Sequence, residues 1–338
     1  MKSSIYSLLV AALPSALAFS SATRPFTAPI ATPPPTSAVP THAEPASSQI
    51  PANTHGPKAP RNVAFVAYAY DDQWDGTNTS KPAIDVDALY QDQTGVDTLV
   101  INPCDVNENN PAVPQCHGWD FINSTYWEQI WPSYQSVQAN GILLIASYGG
   151  YGSNTFQLLN QSWDTYYPPN VNMLKTYKFD GIDFDIEPSN DDYVPPLSLA
   201  LKLVNSIRSD MGQEFIITFT PVSSDLWETG STDYSGFSSW QLDQEATTTG
   251  ADGTYVISNG NWDPSRVVLL APGTSTVGGG WVNLTTLEAV AKNLTDKYGQ
   301  GKFGGVGGYE YARAGEADDV TNWQWFKDVS QAQGIATS

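Results

Sequence analysis

Residues 179–189 read FDGIDFDIEPS, with acids at Asp180, Asp183, Asp185 and Glu187. The last three alternate with Ile182, Phe184 and Ile186. On a β-strand, successive side chains point to opposite faces. The apolar residues then face covering helices, and the three carboxylates form a row on the other face. Members of that row lie about 6.6 Å apart, at ~3.3 Å of rise per residue. Three carboxylates that close in a partly dry interior cannot all be ionised, because like charge and desolvation raise at least one pKa. A protonated acid beside an ionised neighbour suits general acid catalysis. Glu187 is nearest the C-terminal end of the strand, where barrel folds carry their active sites. A calcium loop fits poorly, since Pro188 stands where that loop needs its turn glycine. A solvated edge strand does not explain the interleaved Ile and Phe. By chance, D-G-x-D-x-D-x-E should arise in roughly one such chain in ten thousand at ordinary residue frequencies.

The elements around this strand alternate. Apolar, β-branched and aromatic runs at 62–70, 96–102, 142–150, 179–187, 215–221, 266–273 and 303–311 predict seven strands. Helices are expected at 125–141, 196–211, 284–299 and 321–333, with another before Phe179. Near-continuous apolar strands alternating with helices imply a parallel sheet covered on both faces. An eighth strand would close a (β/α)8 TIM barrel, an α/β fold of typically ~250 residues. A doubly wound sheet would announce itself with a Gly-rich phosphate loop after the first strand, and YAYDDQWDG (68–76) is not one.

Of the 338 residues, the barrel takes 61–338. Residues 1–18 carry an early lysine, an apolar stretch and an Ala16-x-Ala18 ending, which reads as a secretory signal peptide. Residues 19–60 are rich in Pro, Ala, Thr and Ser and read as a disordered linker, too poor in apolar groups to offset ordering entropy. No later segment has the length of a membrane span, and the ending AQGIATS carries no anchor signal. A secreted monomer off the membrane is expected. A net charge of −20 argues against nucleic acid and anionic lipid as partners. Aromatic residues make up 12%, nearly matching the 15% that are charged, as in many secreted carbohydrate-active proteins. Most such rings still belong to the core.

Five sequons, at Asn78, Asn123, Asn160, Asn283 and Asn293, become glycosylation acceptors on a secretory route. Cys104 and Cys116 are the only cysteines, and a bridge between them is expected. Two thiols cannot build a structural zinc site. His42 and His55 fall in the linker, so a Ser-His-Asp triad or a histidine-ligated metal would rest on His117 alone. Neither a metal nor a cofactor is expected.

DGIDFDIE (180–187) resembles the D-G-x-D-x-D-x-E signature of glycoside hydrolase family 18, the chitinases and endo-β-N-acetylglucosaminidases. A second family motif, S-x-G-G on the third strand, is matched by SYGG (147–150). The likeness covers roughly 61–338. YSGFSSWQL and the ending GGVGGYEY…NWQWFKDV look most like small secreted fungal endo-β-N-acetylglucosaminidases. The resemblance implies that Glu187 protonates the leaving oxygen and then activates water. It implies that Asp185 orients the substrate's acetamido group, that Asp183 shares a proton with Asp185, and that Asp180 is structural. Substrate contacts would come from Tyr68, Tyr148, Gly149, Gly150 and Tyr309. The substrate would be an N-acetylglucosamine oligosaccharide, a glycoprotein or chitin, cleaved with retention by a nucleophile within the substrate itself.

Two departures stand out. Tyr309 occupies the place of the family's strand 8 Trp. The strand 6 motif, whose Tyr holds the N-acetyl carbonyl, is missing between Pro221 and Arg266, where only Tyr255 is on offer. About a dozen residues fewer than in the fungal relatives stand there, as a faulty gene model would leave. A short strand at 254–258, or a gap in the barrel, is expected.

Overall fold

The structure is a computed structural model that describes residues 59–67, 84–117, 119–120, 125–150, 152–187, 193, 195–220, 243–245, 257, 263–277 and 281–337. The signal peptide, the linker up to residue 58, Tyr68, Asn78, Asn123 and Tyr255 lie outside the described residues. In chain order the elements are β1 (Arg61–Val66), α1 (Ala88–Gln91), β2 (Thr98–Asp105), β3 (Gln115–Cys116), β4 (Trp119–Asp120), α2 (Thr125–Ala139), β5 (Leu143–Gly149), α3 (Thr155–Gln161), α4 (Trp163–Thr176), β6 (Gly181–Asp185), α5 (Leu197–Met211), β7 (Ile216–Phe219), β8 (Asp243–Glu245), β9 (Val267–Pro272), α6 (Leu284–Tyr298), β10 (Gly305–Tyr309) and α7 (Asn322–Ala332).

Eight strands are parallel, in the order β1-β2-β5-β6-β7-β8-β9-β10, and β10 pairs back onto β1. The ring is therefore closed. β3 and β4 extend β2 as antiparallel strands, and Cys104 pairs with Cys116 in register and in a disulfide. This pairing carries β2 past the predicted end at residue 102.

The position of β8 corrects the expectation of a strand at 254–258. The strand that closes the ring is short, as expected, but lies at 243–245; Ile257, from the expected stretch, is helical. Thr218 and Phe219 pair with Asp243 and Gln244, and Gln244 and Glu245 pair with Val267 and Val268. Closing a ring requires only that the edges of β7 and β9 find partners. β7 is itself four residues long, so three residues suffice.

Helix α5 buries Leu199, Ala200, Leu203, Val204 and Ile207, which recur at helical spacing. Helix α6 starts at Asn283, whose side chain accepts from Thr286 N at 2.9 Å, and ends at Gly299 with φ 98°. Strand alternation divides the core in two. Val63, Phe65, Val100, Ile145, Ile216 and Leu270 fill the barrel interior. Leu144, Ile182, Phe184 and Leu269 pack outward with the helices. No helix among the described residues is long and apolar enough to cross a membrane.

Candidate active site

Along β6, the inward positions Gly181, Asp183 and Asp185 lie beside Ile145, Ser147 and Gly149 of β5. On the other side, Gly181 and Asp183 lie beside Ile216 and Thr218 of β7. The interior thus passes from an apolar floor to a polar belt of Asn102, Ser147, Asp183 and Thr218, all buried. Asp183 is 0% exposed, and hydroxyls surround it. Its Oδ2 accepts from Ser147 Oγ at 2.7 Å, and its Oδ1 accepts from Thr218 Oγ1 at 2.7 Å and Thr220 Oγ1 at 3.1 Å. Burial pushes this carboxyl above the usual range, while the three hydroxyls pull it down.

Asp185, at the end of β6, accepts at Oδ2 from Asn102 Nδ2, 3.1 Å away. Ile186 N donates to Thr220 O at 3.0 Å, so the extended ladder continues beyond the strand. Glu187 follows there, half-buried, and burial pushes its carboxyl up to about 7. Gly149 and Gly150 both have positive φ, 109° and 92°. A Cβ on Gly149 would collide with the Asp185 carbonyl, and one on Gly150 would stand 3.2 Å from Asp185 Oδ2. These glycines keep the space around Asp185 open.

Solved structures share this architecture. A fungal endo-β-N-acetylglucosaminidase from glycosyl hydrolase family 18 matches at TM-score 0.65 and 19% identity, over 81% of this chain and 98% of that one. A chitinase, ChiC, from Aspergillus fumigatus matches at TM-score 0.65 and 21% identity, over 80% and 99%. A variant of the class V chitinase from Nicotiana tobaccum, in complex with NAG4, matches at TM-score 0.53 and 13% identity, over 81% and 99%. The fold is that of the family 18 glycoside hydrolases. No family sequence model and no curated protein sequence matches the chain.

Within this barrel, Tyr309 is 9% exposed at the C-terminal end of β10, on the inner wall, with its ring 6.3 Å from that of Phe65. Asp180 sits below the acid row, where its Oδ2 accepts from Gln138 Nε2 and Leu144 N, each at 2.8 Å, tying α2 and β5 to β6. Tyr148 requires a correction. It shares a face with its register partner Phe184, is 2% exposed and packs in the outer core. Its ring is turned away from Ser147 and the acids, so a sugar cannot reach it; strand alternation already demands this. His117 is also structural: its Nδ1 bonds Ala67 O at 2.9 Å, its ring stacks on Trp127, and burial lowers its pKa to about 4.

β8 holds Asp243, Gln244 and Glu245, so the family's strand 6 tyrosine has no counterpart within it. Among the described residues, no group of His, Cys, Asp and Glu could hold a metal ion. The described sequons Asn160, Asn283 and Asn293 are all exposed. The sequence reading missed Asn102, Thr218 and Thr220. The two threonines were detectable, because they alternate with Phe219 in FIITFTP as the acids alternate with Ile and Phe. Asn102 closes an apolar run and carries no comparable signal.

Proposed function

We propose that the chain is a secreted glycosidase that hydrolyses β-1,4 linkages of N-acetylglucosamine by substrate-assisted, retaining catalysis. The observation that carries this reading is the acid row on β6, with Glu187 at its open end holding a proton up to about pH 7. Glu187 gives its proton to the leaving glycosidic oxygen. The carbonyl oxygen of the 2-acetamido group attacks C1 as that bond breaks, forming an oxazolinium ion. Asp185 holds the acetamido N–H and stabilises the positive charge, and Asp183 supports Asp185 from below. Glu187 then takes a proton from water as the water attacks C1 and the C1–O bond of the oxazolinium breaks, which restores the acetamido group, the acid and the original configuration. Tyr309 forms the floor of the subsite for the cleaved sugar.

We place the substrate at the chitobiose core of N-glycans rather than chitin, on the likeness of YSGFSSWQL and the C-terminal segment to fungal endo-β-N-acetylglucosaminidases. One observation favours a second reading, carbohydrate binding without turnover: β8 is three residues long and has no tyrosine. The test is release of fluorophore from 4-methylumbelliferyl chitobioside. Turnover that Glu187→Gln lowers about 10²–10⁴-fold, with an unchanged melting temperature, supports the enzyme. Binding of chitobiose without any release supports the second reading.

A further inference from the structure

Asn102 is 5% exposed on β2 and reaches both inner acids. Its Nδ2 lies 3.0 Å from Ser147 Oγ and 3.1 Å from Asp185 Oδ2. An amide N–H only donates, so Asp185 accepts at Oδ2. The opposite amide orientation would set a carbonyl oxygen against the carboxylate. Ser147 accepts from Asn102 and donates to Asp183 Oδ2 at 2.7 Å. One side chain thus holds Asp185 directly and Asp183 through a hydroxyl.

Asp185 needs such a holder. The χ2 torsion of an aspartate is soft, so packing or a donor must set the plane of its carboxylate. Beside Oδ2 stands Gly150, which has no side chain to pack there; an added Cβ would stand at 3.2 Å. We propose that Asn102 is the positioning residue for Asp185: it fixes Oδ2, so that the carboxylate presents its other oxygen in one direction. This inference rests on the reading of Asp185 as the group that orients the acetamido.

The test is a double-mutant cycle of Asn102→Ala and Asp185→Ala. Two readouts are used: turnover of 4-methylumbelliferyl chitobioside, and calorimetric affinity for the thiazoline of chitobiose, a stable analogue of the oxazolinium. Alone, Asn102→Ala should lower kcat roughly ten- to a hundredfold, with KM within about threefold, and should weaken thiazoline binding by a similar factor. In the Asp185→Ala background it should change neither readout by more than about twofold, because the carboxylate that it positions is gone. Asn102→Asp, which keeps the shape and loses the donor, serves the same cycle if the alanine variant does not fold. A loss that persists undiminished without Asp185 means a merely structural role and overturns the proposal. So does an unchanged Asn102→Ala in a protein that cleaves, and then the proposed function stands. A wild type that binds without turnover leaves the binding arm to decide. A wild type that neither cleaves nor binds overturns both.

Discussion

Glu187 holds its proton to about pH 7 because its carboxylate would have to ionise in a half-buried site. In the proposed mechanism the protonated form is the active one, so kcat/KM should fall as pH rises through about 7. A flat profile from about pH 6 to about pH 9 would remove Glu187 as the proton donor. Gly150 tests the space around Asp185. In Gly150→Ala a Cβ would enter at φ 92°, 3.2 Å from Asp185 Oδ2. Backbone strain should lower stability by about 1–2 kcal/mol, and displacement of Asp185 should lower kcat at least roughly tenfold. Wild-type kcat in a folded Gly150→Ala protein would mean that Asp185 has room to move without consequence.

At the scale of elements, β6 works because alternation separates its two tasks. Phe184 packs outward between Phe156 and Phe219, with ring centroids 6.3 and 5.2 Å away, while its neighbours Asp183 and Asp185 face inward. β10 shows the cost of a misplaced charge. Glu310 follows it, 0% exposed; its Oε2 accepts from Ala312 N at 3.1 Å, and its Oε1 meets no side-chain hydrogen-bond partner among the described residues. Burial raises its pKa from 4.5 to about 8. Between those values the folded state holds a proton that the unfolded chain has released, so stability falls as pH rises across that window. From about pH 5 to about pH 8 the wild type should lose roughly 2–4 kcal/mol more than Glu310→Gln. Chemical denaturation of both proteins at the two pH values checks this. Parallel losses would show that Glu310 ionises normally.

For the molecule as a whole, β8 decides closure. Three residues complete the backbone pairing of β7 and β9, so the acid row stands in a closed ring even though the strand 6 motif is absent. Closure excludes water from the apolar floor, and that dryness is what raises the carboxyl groups above it. Substrate choice also belongs to this scale, since it depends on what the barrel mouth admits. Side-by-side incubation with a high-mannose glycoprotein and with colloidal chitin should release glycan from the first and little from the second. Soluble oligomers from chitin alone would reverse the substrate assignment.

The sequence by itself determined the facing of the acids, the placement of Glu187 at the open end of its strand and the α/β barrel class. Each follows from a period of two along one strand or from the alternation of strand with helix, and both are local patterns. It also held the correct facing of Tyr148, on the side opposite Ser147. Tertiary structure alone decided what surrounds the acids. Asn102 meets Asp185 across 83 positions of sequence, and Thr218 meets Asp183 across 35. Such pairs are set by the register of neighbouring strands, which no short segment encodes. The closing strand is a further case. The apolar run near Tyr255 looked locally more strand-like than Asp243–Glu245, but the free edges of β7 and β9 take their partners from residues that can reach them in register.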